Sequence, residues 1–400
     1  MKILFILPYV PNRIRVRPFS FLMELAGRHE VHVIALGEGG GGDVEGSREV
    51  AAAVADLRVI PHPKLRGCAQ AIAALPSQFP LCVAYCWSPQ MQDAVRAAVR
   101  RESFDLIHIE HLRAAHFSPR HCDAPVVFDT VDCLAGLFAQ MARLRANPVS
   151  KLLMAEETYK LRRYEPRTLG KFERVIATSE SERDALIAMD PALNVEVVPN
   201  GVDTGYFAPL GARRQPERIV FSGKMSYKPN VQAVLWFAEN VLPAVRRRAP
   251  GAEFVVVGSS PPPEVARLAQ TPGVTVTGYV PDIRPHLDSA GVAVVPMQVA
   301  VGVQNKALEA MAMGLPVVAS PSAARALGPN PPGVMVAGSA GEMAAELIRL
   351  IRDPAEAARL GEQARAEVER AFTWRSSVVR LEEIYEDAVA EKRGRPEEGL

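Results

Sequence analysis

The chain has 400 residues, of which 48% are apolar, with 46 Lys and Arg set against 45 Asp and Glu. That length exceeds one comfortable core, so two domains are expected. The balanced charge argues against a broadly basic nucleic-acid binder. Five cysteines (Cys68, Cys82, Cys86, Cys122, Cys133) lack zinc-type spacing and fit a reduced, cytoplasmic setting. The first apolar run, Ile3 to Leu7, stops at Pro8. It is too short for a signal-peptide core and predicts a first strand. No run reaches the roughly 20 residues needed to span a bilayer.

Short β-branched or leucine-rich runs then alternate with helical segments. The first series of predicted strands is Ile3–Leu7, Val31–Leu36, Leu57–Ile60, Leu106–Ile109, Val126–Phe128, Val175–Ala177 and Val195–Val198. The second is Ile219–Ser222, Phe254–Val257, Val274–Thr277, Val292–Val295, Val317–Ala319 and Val334–Val336. Continuous apolar strands imply burial on both faces, hence parallel sheets between helices. Two series predict an α/β chain of two doubly wound domains. The Pro-rich stretch Pro209–Pro216 marks the seam, giving domains 1–208 and 209–373. An amphipathic helix over 374–391 is expected to pack back toward the first domain, with 392–400 a disordered tail. The run Gly37–Gly42 is expected to be a flexible loop.

The most informative stretch runs from Gly302 to Ala319: a glycine turn, a short helix from Asn305, a second glycine turn and a buried strand. Glu309 lies inside an otherwise apolar helix, where a carboxylate is costly to desolvate without hydrogen-bond donors. A ligand bearing hydroxyls would supply them; an ion pair with Lys306 is the plainer alternative. Amide groups around Gln304, Asn305 and Lys306 at the helix start form an anion site. Lys224 follows Gly223 at the end of a predicted strand and Lys228 lies farther along the loop, both suited to phosphate. Ordinary surface lysines are the alternative, more so for Lys228. Neither a Walker P-loop nor a dinucleotide-binding glycine fingerprint occurs.

Four segments carry a family resemblance: Val198–Pro209, Ser222–Asn230, Gly278–Asp282 and Leu308–Val318. With them the chain resembles the retaining GT-B glycosyltransferases of family four, the group one transferases, and within these the bacterial exopolysaccharide and envelope enzymes. The resemblance implies two Rossmann-like domains around a cleft, and sugar transfer from a nucleotide-diphosphate donor with retention, in polysaccharide or glycoconjugate synthesis. It implies that Glu309 binds the donor ribose and that Lys224 neutralises the leaving diphosphate. Gly278 and Tyr279 would meet the nucleobase. Gly302, Val303 and Asn200 would complete the donor site. The family's first motif glutamate is replaced by Val301. A nucleotide-sugar epimerase and a non-catalytic sugar-nucleotide-binding subunit are the competing readings.

The first domain matches the family more loosely, in Phe104–His111. Glu110 and His111 close a predicted strand and are the candidates for positioning or acid–base contact with the reacting hydroxyls. Arg13, Arg15 and Arg17 would alternate onto one side of an extended loop, and Arg17 is placed with the donor-binding residues. His116, His121 and Cys122 match no metal-ligand spacing, and Asp129 and Asp132 are not an Asp-x-Asp pair, so neither metal nor cofactor is expected. The expected partners are a nucleotide sugar and a sugar or lipid-linked acceptor, not nucleic acid. Arg162 and Arg163 on a basic helix suggest peripheral contact at the inner membrane surface.

Overall fold

The computed structural model describes residues 1–119, 122–143, 147–300 and 302–394. The chain forms two compact units, one from Met1–Pro199 joined by the chain from Trp374, the other from Asn200–Thr373. Among the described residues no helix is long and apolar enough to cross a membrane.

The first unit is built on strands β1 (Lys2–Leu7), β2 (Glu30–Gly37), β3 (Asp56–Pro61), β4 (Leu106–Glu110), β5 (Val126–Asp129), β6 (Arg174–Ala177) and β7 (Val195–Val197). They lie in the order β3-β2-β1-β4-β5-β6-β7, with every pairing parallel. Alternation splits β1 between two cores. Leu4 and Ile6 pack with Ile107, Ile109 and Phe128 on one face, whereas Ile3, Phe5 and Leu7 pack with Phe21, Trp374 and Leu381 on the other. The Trp374–Gly394 helix thus covers one face of this sheet, and the hydroxyl of Tyr385 lies 2.7 Å from Nδ1 of buried His108. Lys392–Gly394, expected in the tail, continue this helix; residues 395–400 lie outside the described residues.

A long helix, Pro148–Leu169, ties this unit together through two buried carboxylates. Glu157 accepts the amides of Leu81 and Cys82 (2.7 and 2.9 Å), and Glu165 those of Leu134 and Ala135 (3.0 and 2.8 Å). Each carboxylate satisfies unpaired amides at the start of another helix, Leu81–Tyr85 and Leu134–Arg143. The glycine run is not a loop throughout: Gly37 closes β2, and Gly41 and Gly42 open the Gly41–Ala53 helix. Asp43 explains this, since it sits in the first turn and accepts the amides of Glu38 and Gly39.

The second unit holds β8 (Gln215–Ser222), β9 (Glu253–Val257), β10 (Val274–Val276), β11 (Ala290–Val295), β12 (Val317–Ala319) and β13 (Val334–Val336), ordered β10-β9-β8-β11-β12-β13 and again all parallel. The chain passes between units at Pro199, earlier than the Pro-rich seam. The reason is local: the amide of Val202 donates to Phe372 O at 2.8 Å, which stitches Asn200–Ala208 to the second unit. The Pro-rich stretch is strapped down as well. Asp288 accepts the amides of Leu210 and Ala212 (3.0 and 2.7 Å), and the Arg214 guanidinium donates to Gly314 O and Met313 O (2.6 and 2.8 Å).

Candidate functional site

In doubly wound sheets, ligands bind beyond the carboxyl ends of the strands where the order reverses. In the second unit this point lies between β8 and β11. The loop after β8 carries Gly223 and Lys224, and the loop after β11 leads into the Asn305–Ala312 helix. The topology therefore brings the two main sequence candidates to one edge.

Backbone packing there is tight enough to require glycine. A Cβ on Gly258, just past β9, would lie 1.9 Å from Gly223 O. Gly223 has φ of 154°, and a Cβ on it would meet Asn230 Nδ2 at 2.7 Å and Lys306 Cε at 3.2 Å. Asn230 is buried and donates to Lys224 O at 2.9 Å, which holds the loop. Lys224 and Lys228 themselves are exposed.

The Asn305–Ala312 helix starts without a side-chain cap from Gln304. Lys306 lies in its first turn, with Nζ 3.2 Å from Gln304 Oε1 and 5.8 Å from the Phe221 ring centre. Among the described residues no carboxylate comes within 4.0 Å of that ammonium, so the expected alternative of a direct Lys306–Glu309 ion pair is not formed. The two groups still act on each other. Burial pushes Lys306 down to about 8 against the opposing effect of Glu309, and pushes Glu309 up to about 7 against that of Lys306. The far end of the helix is firmly closed. Gly314 (φ 69°) donates to Met311 O and Leu315 to Ala310 O, a Schellman motif. Arg214 takes the carbonyls of Met313 and Gly314, and Arg365 takes that of Ala312.

Around this edge, Asn200 Nδ2 donates to Asn305 Oδ1 at 3.3 Å. Gly278 (φ 70°) has open space at its Cα, beside Tyr279, which is 76% exposed. Gly302 takes φ of 62°, and Val303 is buried in the core. Val301 lies outside the described residues, as does His121.

The first unit reverses its strand order between β1 and β4. Here Glu110 is fully buried and accepts a hydrogen bond from Tyr9 Oη at 2.7 Å. Desolvation, then the charge of Asp129, holds its carboxyl well above the usual range, against the effects of Tyr9 and Arg17. Glu110 Oε2 has no partner within the described chain. His111 adopts φ of 71°, and its Nδ1 accepts the Arg113 amide at 3.2 Å. Burial, then Arg113, keeps this imidazole well below its ordinary pKa. With Nδ1 accepting, the neutral ring carries its proton on Nε2 and offers a donor there.

The three arginines do not share one side. Asn12 Oδ1 accepts the amides of Ile14 and Arg15, a turn that leads into the Val16–Leu25 helix instead of an extended loop. Arg13 pairs with Glu49, and Arg15 lies over the Tyr9 ring. Arg17 is buried against Asp129 at 2.7 Å, within the first unit. His116 lies against Trp87 in a tilted ring contact, with centroids 5.1 Å apart. The one group of potential metal ligands among the described residues, Glu30, His32 and Glu102, lies elsewhere in the unit, with Lys2 Nζ paired to both glutamates. Arg162 and Arg163 are exposed on the Pro148–Leu169 helix. Tyr9, Gly258 and Asn230 were not singled out from sequence. Only Gly258 had a signal, the pattern of an apolar strand ending in glycine that also marks Gly223.

Comparison with known proteins adds independent findings. The profile of "Glycosyltransferase Family 4" matches residues 19–206, and that of "Glycosyl transferases group 1" matches residues 216–353. A GDP-mannose-dependent alpha-(1-6)-phosphatidylinositol monomannoside mannosyltransferase of Mycobacterium tuberculosis is 30% identical over 218 residues, covering 48% of this chain and 56% of that protein. An MMP alpha-(1->4)-mannosyltransferase of Mycolicibacterium hassiacum is 29% identical over 233 residues, 54% of each chain. The chain thus spans about half the length of the relatives it matches. Sucrose-phosphate synthase from Thermosynechococcus elongatus superposes with a TM-score of 0.70 at 18% identity, covering 98% of this chain and 100% of that one. Anabaena HepE in complex with UDP gives 0.69 at 17% identity, with 97% and 100% covered. Two profiles covering the two units in order, on two parallel Rossmann-like sheets, place this chain in the family-four, group 1 glycosyltransferases of GT-B fold.

Proposed function

We propose that the chain transfers a sugar from a nucleotide-diphosphate donor to an acceptor hydroxyl, with retention and without a divalent ion, in polysaccharide or glycoconjugate synthesis. The observation that carries this reading is the edge between β8 and β11, where lysines and an uncapped helix start precede the Glu309 carboxylate by one turn. The helix start and lysines suit a diphosphate, and Glu309 suits the ribose hydroxyls. Tyr279 offers an exposed ring to the base. The relatives named as mannosyltransferases, one of them GDP-mannose-dependent, and the neighbour bound to UDP support a nucleotide-diphosphate donor.

The acceptor, a sugar or lipid-linked sugar, meets the first unit, where His111 donates from Nε2 and Glu110 positions a hydroxyl. Lysine charge takes the role that a divalent ion has in other transferases. The chain works in the cytoplasm, with Arg162 and Arg163 at the inner membrane surface.

A thermal-shift panel of GDP- and UDP-sugars tests the donor, since a bound ligand stabilises by mass action. One member of the panel should raise Tm and be slowly hydrolysed or transferred, with equal rate in EDTA. Glu309→Gln should chiefly raise donor KM, because ribose contacts are nearly uniform between ground and transition states. Absence of any shift at millimolar concentrations, or activity lost in EDTA and restored by magnesium, would sink this reading.

A further inference from the structure

We propose that Lys306, and not the exposed lysines after β8, supplies the charge that stabilises the departing nucleoside diphosphate; this rests on the donor reading above. The placement of Lys306 is otherwise unfavourable. A helix N-terminus carries partial positive charge, so cations are stabilising at the other end. Here the other end is already served by Arg214 and Arg365, while a lysine occupies the first turn. Its ammonium lies over Phe221 with a single amide oxygen at 3.2 Å, and no described carboxylate is within 4.0 Å. Lys306 is half-buried, and a cation partly withdrawn from water without a paired anion costs stability. An anion bound at this helix start would relieve both penalties together.

The surrounding backbone is shaped to admit that side chain. Lys306 Cε would lie 3.2 Å from a Cβ on Gly223, so the missing side chain there leaves the path by which the lysine reaches the β8 edge. Lys224 is exposed, and its charge is screened by water. A charge in a drier setting acts more strongly on charge that grows during reaction.

In the transfer the anomeric C–O bond breaks with its electron pair kept by the β-phosphate oxygen. The acceptor oxygen forms the new bond to the same carbon, and its proton passes to the departing phosphate. Lys306 keeps its own proton and faces the oxygen that gains the electron pair. Glu309 is the charged group that acts on Lys306, and the neighbours Phe221, Gly223 and Gln304 do not titrate.

The test uses the full chain with GDP-mannose and UDP-glucose as donors and GDP and UDP as binding probes. Lys306→Met should lower kcat by about a hundredfold or more, weaken the bound diphosphate and leave Tm equal or higher. Lys224→Met should change kcat by less than about tenfold by the same comparison. Lys306→Arg should restore most of the turnover and move the alkaline fall of donor kcat/KM, centred near 8 in the parent, to higher pH. Lys306→Met with near-parental kcat overturns the proposal, as does loss of both turnover and Tm that Lys306→Arg does not repair. Such failure with Glu309→Gln still raising donor KM leaves the donor reading standing. Failure of both probes and both donors to bind the parent chain refutes the donor reading itself.

Discussion

Gly361, in the interior of the Pro354–Ala371 helix, gives a sharp test of how the Glu309 helix is held. By helix propensity alone, Gly361→Ala should stabilise the chain by about 1 kcal/mol. The packing predicts the opposite. A Cβ at Gly361 would lie 2.0 Å from Gly314 O, a backbone atom in the closing turn of the Asn305–Ala312 helix. Ordinary C···O contact is roughly 3.4 Å, so the two helices must separate by about an ångström or more. Overpacking of this kind costs about 1–3 kcal/mol. The shift also strains the 2.6 Å bond from Arg214 to that same carbonyl and the contact of Arg365 with Ala312 O. Charge-assisted bonds contribute about 1.5–3 kcal/mol each, so a net loss of about 2–4 kcal/mol is expected. Urea unfolding followed by circular dichroism measures it. Gly341→Ala is the control: that glycine is exposed near the start of the Ala340–Arg352 helix, a Cβ on it would lie 4.0 Å from Ser339 Oγ, and the change should be neutral or mildly stabilising. Because the strained turn ends the helix carrying Lys306 and Glu309, donor KM should rise with the loss of stability. Equal stability and unchanged KM in Gly361→Ala would refute the argument.

Three further outcomes are expected. Arg17→Met should destabilise the chain by about 3–5 kcal/mol at pH 7, because it leaves the buried Asp129 carboxylate unpaired; Asp129→Asn in the same chain should recover part of the loss in urea titrations. His108 is pushed down to about 4 by burial, from 6.5 in the unfolded chain. The unfolded state therefore binds the proton first as pH falls. Its contribution is complete above 6.5 and fades toward 4, by about 3 kcal/mol in all; His108→Leu should flatten that limb of a stability–pH curve. Glu309 is held up to about 7, so donor kcat/KM should fall as pH drops through 7, and Glu309→Gln should remove that acid limb.

Much of this architecture was legible from local pattern. The continuous apolar strands announced parallel sheets, and the segment around Glu309 announced its helix and the glycine that ends it. What sequence could not show was set by contacts between distant residues. Arg17 reads like its neighbours Arg13 and Arg15, yet its setting is decided by Asp129, 112 positions away. In sequence Lys224 is the lysine suited to phosphate, and Lys306 enters only as a helix-start amide and a partner for Glu309. Only the placement of the Lys306 ammonium over Phe221 of β8 separates the exposed Lys224 from a half-buried lysine. The Pro-rich stretch looks like a free tether because its restraints come from Asp288 and from the end of the Asn305–Ala312 helix, far along the chain. Gly41 and Gly42 mislead in the other direction, because a neighbouring aspartate in the first turn outweighs their poor propensity.

The Pro148–Leu169 helix works as a ruler. Glu157 and Glu165 stand two turns apart, about 12 Å along the axis, and each closes the start of a different helix. Substitutions on the solvent side of this rod, Arg162 and Arg163 among them, leave that distance unchanged. Adding or deleting one residue between the two glutamates would turn one carboxylate by about 100° and slide it by about 1.5 Å, leaving buried amides without acceptors at one of its marks. The segment should therefore accept wide variation in composition but almost none in length.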